Sequence, residues 1–179
     1  MSAAQRLLGV IEVVDAMVAE GIIEKYAIGG ALAATLYGEP IATIDLDIFF
    51  VFKKKQNSLV LSLDEIYDYA RKRGFEFDHE FVRIDNWLVQ FVESSHSLLW
   101  TNAIDTARML PLESHTLPVI DPEHLVAMWL FAGRAKDYQK IAVFLESALV
   151  ERSRLETVLE DNGLMVKWRE QEWRFGYSI

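Results

Sequence analysis

The 179-residue chain has no cysteine. That excludes disulfides, thiolate nucleophiles and cysteine-ligated zinc together, and it agrees with a reducing compartment. Histidine is scarce as well, and the four present are too scattered to replace a cysteine-based metal set. No stretch approaches the roughly eighteen uncharged apolar residues that a membrane-spanning helix requires. The opening MSAAQRLLGVIEVVDAM carries Glu12 and Asp15 and reads as an amphipathic helix rather than a signal peptide. The expectation is a soluble cytoplasmic protein without a membrane partner. Positive charge is also in deficit, 18 Lys and Arg against 27 Asp and Glu, for a formal net charge of −9. A broad grip on duplex phosphate is thereby disfavoured, and any nucleotide or nucleic acid must be held by local cationic clusters. Internal repeats, low-complexity tracts and long linkers are likewise missing.

What the chain does have is ample core material, 51% hydrophobic residues with five tryptophans, enough for one domain. Apolar residues Leu7, Leu8, Ile11, Val14 and Val18 recur at helical spacing and predict a helix over 3–19, ended by Gly21. KYAIGG then reads as a strand running into a glycine pair, Gly29 and Gly30. ALAATLYG reads as a short buried helix, and Gly38-Glu39-Pro40 turns the chain into ATIDLDIFFVF, a second strand. KKKQNS reads as a solvated hinge, and LSLDEIYDYARKRG as a helix stopped at Gly74. EFVRI and WLVQFV flank Asp85-Asn86 as a hairpin. The segment 97–109 reads as helical or irregular, and HTLPVI as a short strand. Asp121-Pro122 caps the first of two helices joined near Gly133, and two shorter helices follow, broken at Asn162-Gly163. These elements predict a mixed α/β fold with a sheet of four to five strands flanked by helices. The expected organisation is an α/β core over 1–120 and a helical segment over 121–179, packed as one unit.

The chemistry concentrates at Asp45 and Asp47. Residues i and i+2 of a strand share a face, so both carboxylates project together while Leu46 and Ile48 turn to the other side. Acid-x-acid pairs arise by chance about four times in a chain of this composition. This pair stands apart because it sits in β-branched and aromatic surroundings downstream of a glycine turn. Holding two ionised carboxylates on an apolar strand costs several kcal/mol per charge unless a cation offsets it. Such a pair can hold magnesium, which in turn holds the oxygens of a triphosphate, chemistry that suits nucleotidyl transfer. The glycine turn allows a phosphate or another backbone to approach a helix N-terminus, or serves only as a plain turn. The junction GRAKD bunches Arg134, Lys136 and Asp137, which can serve a phosphate clamp or simply pair among themselves around a helix start. Trp129, Trp168 and Trp173 read as core rather than interface.

The segment YAIGGALAATLYGEPIATIDLDIFF resembles the opening signature of the nucleotidyltransferase superfamily that contains DNA polymerase beta. More narrowly it resembles a compact prokaryotic group related to nucleotidyltransferase-like toxins of abortive-infection systems. DNWLVQFV, PEHLVAMWLFAGRAKDYQKI and NGLMVKW find counterparts there, so the likeness spans nearly the whole chain. It implies that Gly29, Gly30 and Thr43 line the nucleotide, that Asp45 and Asp47 bind Mg2+, and that Arg134, Lys136 and Asp137 close the site. The implied substrate is a nucleoside triphosphate, with a protein hydroxyl or an RNA end as acceptor. The third carboxylate usual in active members falls at Gln90, a weak magnesium ligand and a poor base. An arginine and a lysine common in relatives are replaced here by Ile41 and Trp129. These departures keep open a slow transferase, one that borrows a group from a partner protein, and an impaired binding module forming half of a toxin–antitoxin-type pair.

Overall fold

The computed structural model describes residues 2–38, 43–53, 62–177 and 179. The chain runs α1 (Ala3–Ala19), β1 (Ile23–Ile28), α2 (Gly30–Leu36), β2 (Asp45–Phe52), α3 (Asp64–Lys72), β3 (Glu76–Asp78), β4 (Phe81–Ile84) and β5 (Trp87–Glu93). It continues through α4 (Leu98–Asp105), β6 (Arg108–Leu112), β7 (His115–Val119), α5 (Pro122–Ala132), α6 (Ala135–Glu146), α7 (Arg152–Asp161) and α8 (Met165–Gln171), with a 3-10 turn at Glu172–Arg174. The strands form one sheet in the order β3-β4-β5-β2-β1-β7-β6. Strand β2 runs antiparallel to β1 and parallel to β5, so the sheet is mixed.

Among the described residues the sheet has seven strands, against the four to five expected from sequence. Both additions lie at its borders and carry weak strand signals. Strand β3 is three residues long with an acid at each end, and β6 contains Pro111, which cannot donate to a ladder and is tolerated at an edge. The segment expected to be helical or irregular divides accordingly into α4 and β6. Of the expected 53–58 hinge only Lys53 is described; Lys54 to Ser58 lie outside the described residues, as do Glu39, Pro40 and Ile41.

Local chemistry accounts for the joints that aim the site. Helix α1 starts on a capping box between Ser2 and Gln5. It ends where Ile22 N–H reaches the Met17 carbonyl and Gly21 N–H the Val18 carbonyl, with Gly21 at φ 74°, the paired bonds of a Schellman stop. Met17 is fully buried on the core stripe and Val18 only partly. Asp85 and Asn86 both have positive φ, 47° and 69°, and join Ile84 to Trp87 in the two-residue turn whose twist suits a hairpin. One apolar cluster fills the interior, with Leu7 and Val14 from α1, Ile48 and Phe50 from β2, and Phe144 and Trp168 from the last helices. Trp129 and Trp168 are core residues, whereas Trp173 is 72% exposed.

Candidate functional site

Strand β2 sorts its residues by face. Leu46, Ile48 and Phe50 are fully buried on one side, and Asp45, Asp47 and Phe49 share the other. The parallel register with β5 sets Asp47 against Gln90 and Asp45 against Leu88. Gln90 thus stands beside the second aspartate, on the neighbouring strand. Among the described residues no group of three or more His, Cys, Asp or Glu is placed to hold a metal ion. Asp85 cannot fill in for a third carboxylate. It sits in the hairpin turn with its side chain against Gly9 of α1, where an added Cβ would come within 2.0 Å of its Oδ2.

The glycine pair is explained first by this strand. A Cβ at Gly30, whose φ is +63°, would lie 1.8 Å from Asp47 Oδ2, and one at Gly29 would lie 2.4 Å from the Phe49 ring. Glycine at 30 therefore makes room for the Asp47 carboxylate. Gly29 is buried and its N–H already donates to the Asp47 carbonyl at 2.9 Å, so that amide is not available to a phosphate. Thr43 lies at the entrance to β2, its Oγ1 accepting from the Asp45 N–H at 3.1 Å.

The facing wall comes from α5 and α6. Asp121 caps α5, Pro122 opens it, and Gly133 in the left-handed region (φ 66°) ends it, so α6 starts at once and brings Lys136 and Lys140 to the hollows that border β2. Arg134 donates to the fully buried Asp137 through Nε at 2.6 Å and Nη2 at 3.3 Å. Lys140 Nζ lies 3.6 Å from Oδ1 of the same carboxylate and 5.7 Å from the Trp129 ring centre. Asp137 thus holds two cations in place from beneath. Burial, and then the charge of Asp45, push the Asp47 carboxyl above its ordinary value, while Lys140, Arg134 and Lys136 pull it down. The hydrogen bond to Asp137 raises Arg134 further, despite partial desolvation.

Two hollows meet at the carboxylates. The more enclosed one, of about 350 Å³, is lined by Gly30, Asp47 and Gln90, by the aromatic walls Phe49, Trp100 and Trp129, and by Arg134 and Lys140. The more open one, about 510 Å³, is lined by Ala31, Thr43, Ile44, Asp45, Lys136 and Lys140. Of the residues singled out from sequence, Gly30, Asp47, Gln90 and Arg134 share the first, and Thr43, Asp45 and Lys136 the second. Asp137 lies beneath both and Gly29 behind. Lys140, the cation common to both hollows, went unnoticed in the sequence, although its spacing three residues after Asp137 on a helix places the two on one face. Trp100 left no local signal; α4 brings it to Phe49 from fifty residues away, edge-to-face at 5.9 Å.

The arrangement of these strands and helices among the described residues is a fold shared with solved structures, one of them described as nucleotidyltransferase-like. Two solved structures of that fold align over nearly the whole chain. An antigenic nucleotidyltransferase-like protein from Paracoccidioides brasiliensis superposes with a TM-score of 0.54 at 17% identity, covering 98% of this chain and 94% of its own. The antibiotic-resistance factor ANT(2'')-Ia superposes with a TM-score of 0.54 at 13% identity, covering 99% and 100%. No protein-family model matches the sequence, and no curated protein matches it.

Proposed function

We propose that the protein transfers a nucleoside monophosphate from a nucleoside triphosphate to an acceptor hydroxyl, with Asp45 and Asp47 at the reacting phosphate. The observation that carries this reading is the placement of two carboxylates on one strand face, in register with Gln90, opposite Arg134, Lys136 and Lys140. Carboxylates alone repel a triphosphate, and cations alone do not orient it. The combination suits a substrate that arrives with its own divalent ion.

Magnesium fits the donor set on these terms. It commonly binds through one or two carboxylates plus substrate phosphates and water, and Asp45 and Asp47 on one face of β2 form an anionic pair whose mutual repulsion a divalent ion would relieve. Asp45 and Asp47 would hold it, and when bound it would neutralise charge developing on the α-phosphate. The protein's own groups do the rest. Lys136 and Lys140 attract and neutralise the β and γ phosphates in the open hollow, Thr43 borders their path, and Arg134 flanks the α-phosphate. Asp137 is a positioning residue that fixes Arg134 and Lys140, and the Gly30 backbone leaves the Asp47 carboxylate its space.

Thermal shift with ATP, GTP, CTP and UTP, each with and without MgCl2, tests binding, and pyrophosphate release tests turnover. Stabilisation by one or more of the nucleotides that depends on magnesium is expected. Asp45→Asn and Asp47→Asn are expected to abolish it and to reduce any transfer by at least 100-fold, an ordinary cost for removing a group that acts on the transition state. Unchanged binding and turnover in both variants would remove the site assignment.

Gln90 favours a second reading, a catalytically impaired nucleotidyltransferase-like module within a toxin–antitoxin-type pair. A neutral amide beside Asp47 weakens metal binding and provides no base. That reading predicts nucleotide stabilisation without pyrophosphate release, alone or with any candidate acceptor.

A further inference from the structure

We propose that the enclosed hollow at Asp47 is the acceptor subsite, and that it takes a hydroxyl carried on an apolar ring, a phenol, rather than an RNA end. This rests on the transfer reading above and adds the acceptor to it. In-line displacement places the attacking and leaving oxygens on opposite sides of the α-phosphorus. The leaving pyrophosphate needs positive charge, and the start of β2 provides it, where Lys136 and Lys140 border Thr43 and Asp45. The attacking oxygen then approaches from the opposite direction along the strand, past Asp47 toward Phe49, since alternate residues are spaced by about 7 Å.

At that end the lining changes character. Phe49, Trp100 and Trp129 form aromatic walls, and Leu125 and Met128 of α5 add aliphatic surface. A ring fits such walls by offset or edge-to-face contact. Gln90 offers an amide with no hydrogen-bond partner among the described residues, able both to donate to and to accept from a hydroxyl. Arg134 and Lys140 also line the hollow, but Asp137 already engages both, and the remaining, largely apolar lining would meet an RNA end's phosphodiesters at a desolvation cost, in a chain of net charge −9. In the step itself the phenolic oxygen bonds to the α-phosphorus as the bond from that phosphorus to the pyrophosphate oxygen breaks. Pyrophosphate leaves with the electron pair, and the hydroxyl proton goes to water.

Binding is read first without transfer, by 19F NMR of N-acetyl-3-fluorotyrosinamide, competed with N-acetylserinamide and with an RNA trinucleotide. Ala132 is exposed at the end of α5 and lines the hollow, so Ala132→Leu narrows it without entering the packed core. The phenol is expected to bind at least ten-fold tighter than serinamide, to lose ten-fold or more in Ala132→Leu, and to stimulate pyrophosphate release while gaining a nucleoside monophosphate by mass. Serinamide competing equally, or the trinucleotide serving as the better acceptor, would overturn the proposal. Magnesium-dependent nucleotide stabilisation without phenol binding also overturns it, leaving the transfer reading intact. Phenol binding in a protein that no nucleotide stabilises overturns the transfer reading, and the acceptor role with it.

Discussion

Single positions in this protein are constrained by what lies across from them more than by their own neighbours in sequence. Gly30 is the sharpest case, because it combines a left-handed backbone with a carboxylate where a Cβ would stand. Gly30→Ala is expected to lose about 2 kcal/mol or more in urea denaturation, from the left-handed penalty and the displaced Asp47 together. The proposed magnesium-dependent stabilisation by nucleotide should fall as well, since Asp47 must move. Gln90 is constrained in the opposite sense: it is legible as an absence. Gln90→Asp sets a third acid beside Asp47 and is expected to raise affinity for Mn2+, read by titration of the free ion, at least several-fold. The same variant without metal should be less stable than wild type, because like charges then crowd one strand face. No gain in ion affinity would show that position 90 does not face the proposed metal site. Lys140 illustrates what a residue-by-residue reading misses, since its importance comes from touching both hollows at once.

Elements were legible where a local chemical device defines them and illegible where only a distant partner does. The Schellman stop at Gly21, the Asp85-Asn86 turn and the Asp121-Pro122 cap all use residues whose backbone preferences are short-range, and the structure places each at its expected position. Strands β3 and β6 exist because neighbouring strands offer ladders to them, and nothing in EFD or RMLPL announces that. The same asymmetry holds at the site. The glycine pair, the Asp pair and GRAKD could be read directly, whereas the walls made by Trp100 and Phe49 depend on packing across the sheet. Helix α5 owes its start to more than a cap. Asp121 accepts from His124 through both backbone N–H and Nδ1, from Thr106 and from Arg154. Burial alone would raise its carboxyl, but these hydrogen bonds and the His124 charge outweigh that and hold it at about 2, below the ordinary 3.8. The stabilisation from the depressed value, about 2 kcal/mol, is fully present above roughly pH 5 and disappears as pH falls through about 2. Asp121→Asn is expected to flatten the acid limb of the urea midpoint against pH in that window and to destabilise the protein at neutral pH.

At the scale of the whole molecule, the proposed nucleotide would touch the sheet through β2 and the helical side through α6. A ligand that bridges both and binds only the folded chain stabilises it by about 2.7 kcal/mol at a hundred times its dissociation constant. For a chain of this length that is a rise in melting temperature of about 5–10 °C, measurable by scanning calorimetry with the magnesium salt of the preferred nucleotide. Asp137→Asn should reduce that rise, because Arg134 and Lys140 would lose the charge that fixes them. The sheet's borders bear on behaviour beyond the site. One border strand is three residues long and acidic at both ends, and the other contains a proline. Neither presents the long, regular row of free amides and carbonyls onto which another molecule's strand could add. Concentrated or partly heated protein should accordingly precipitate, if at all, as amorphous material without the thioflavin-positive fibrils that an open sheet margin would seed.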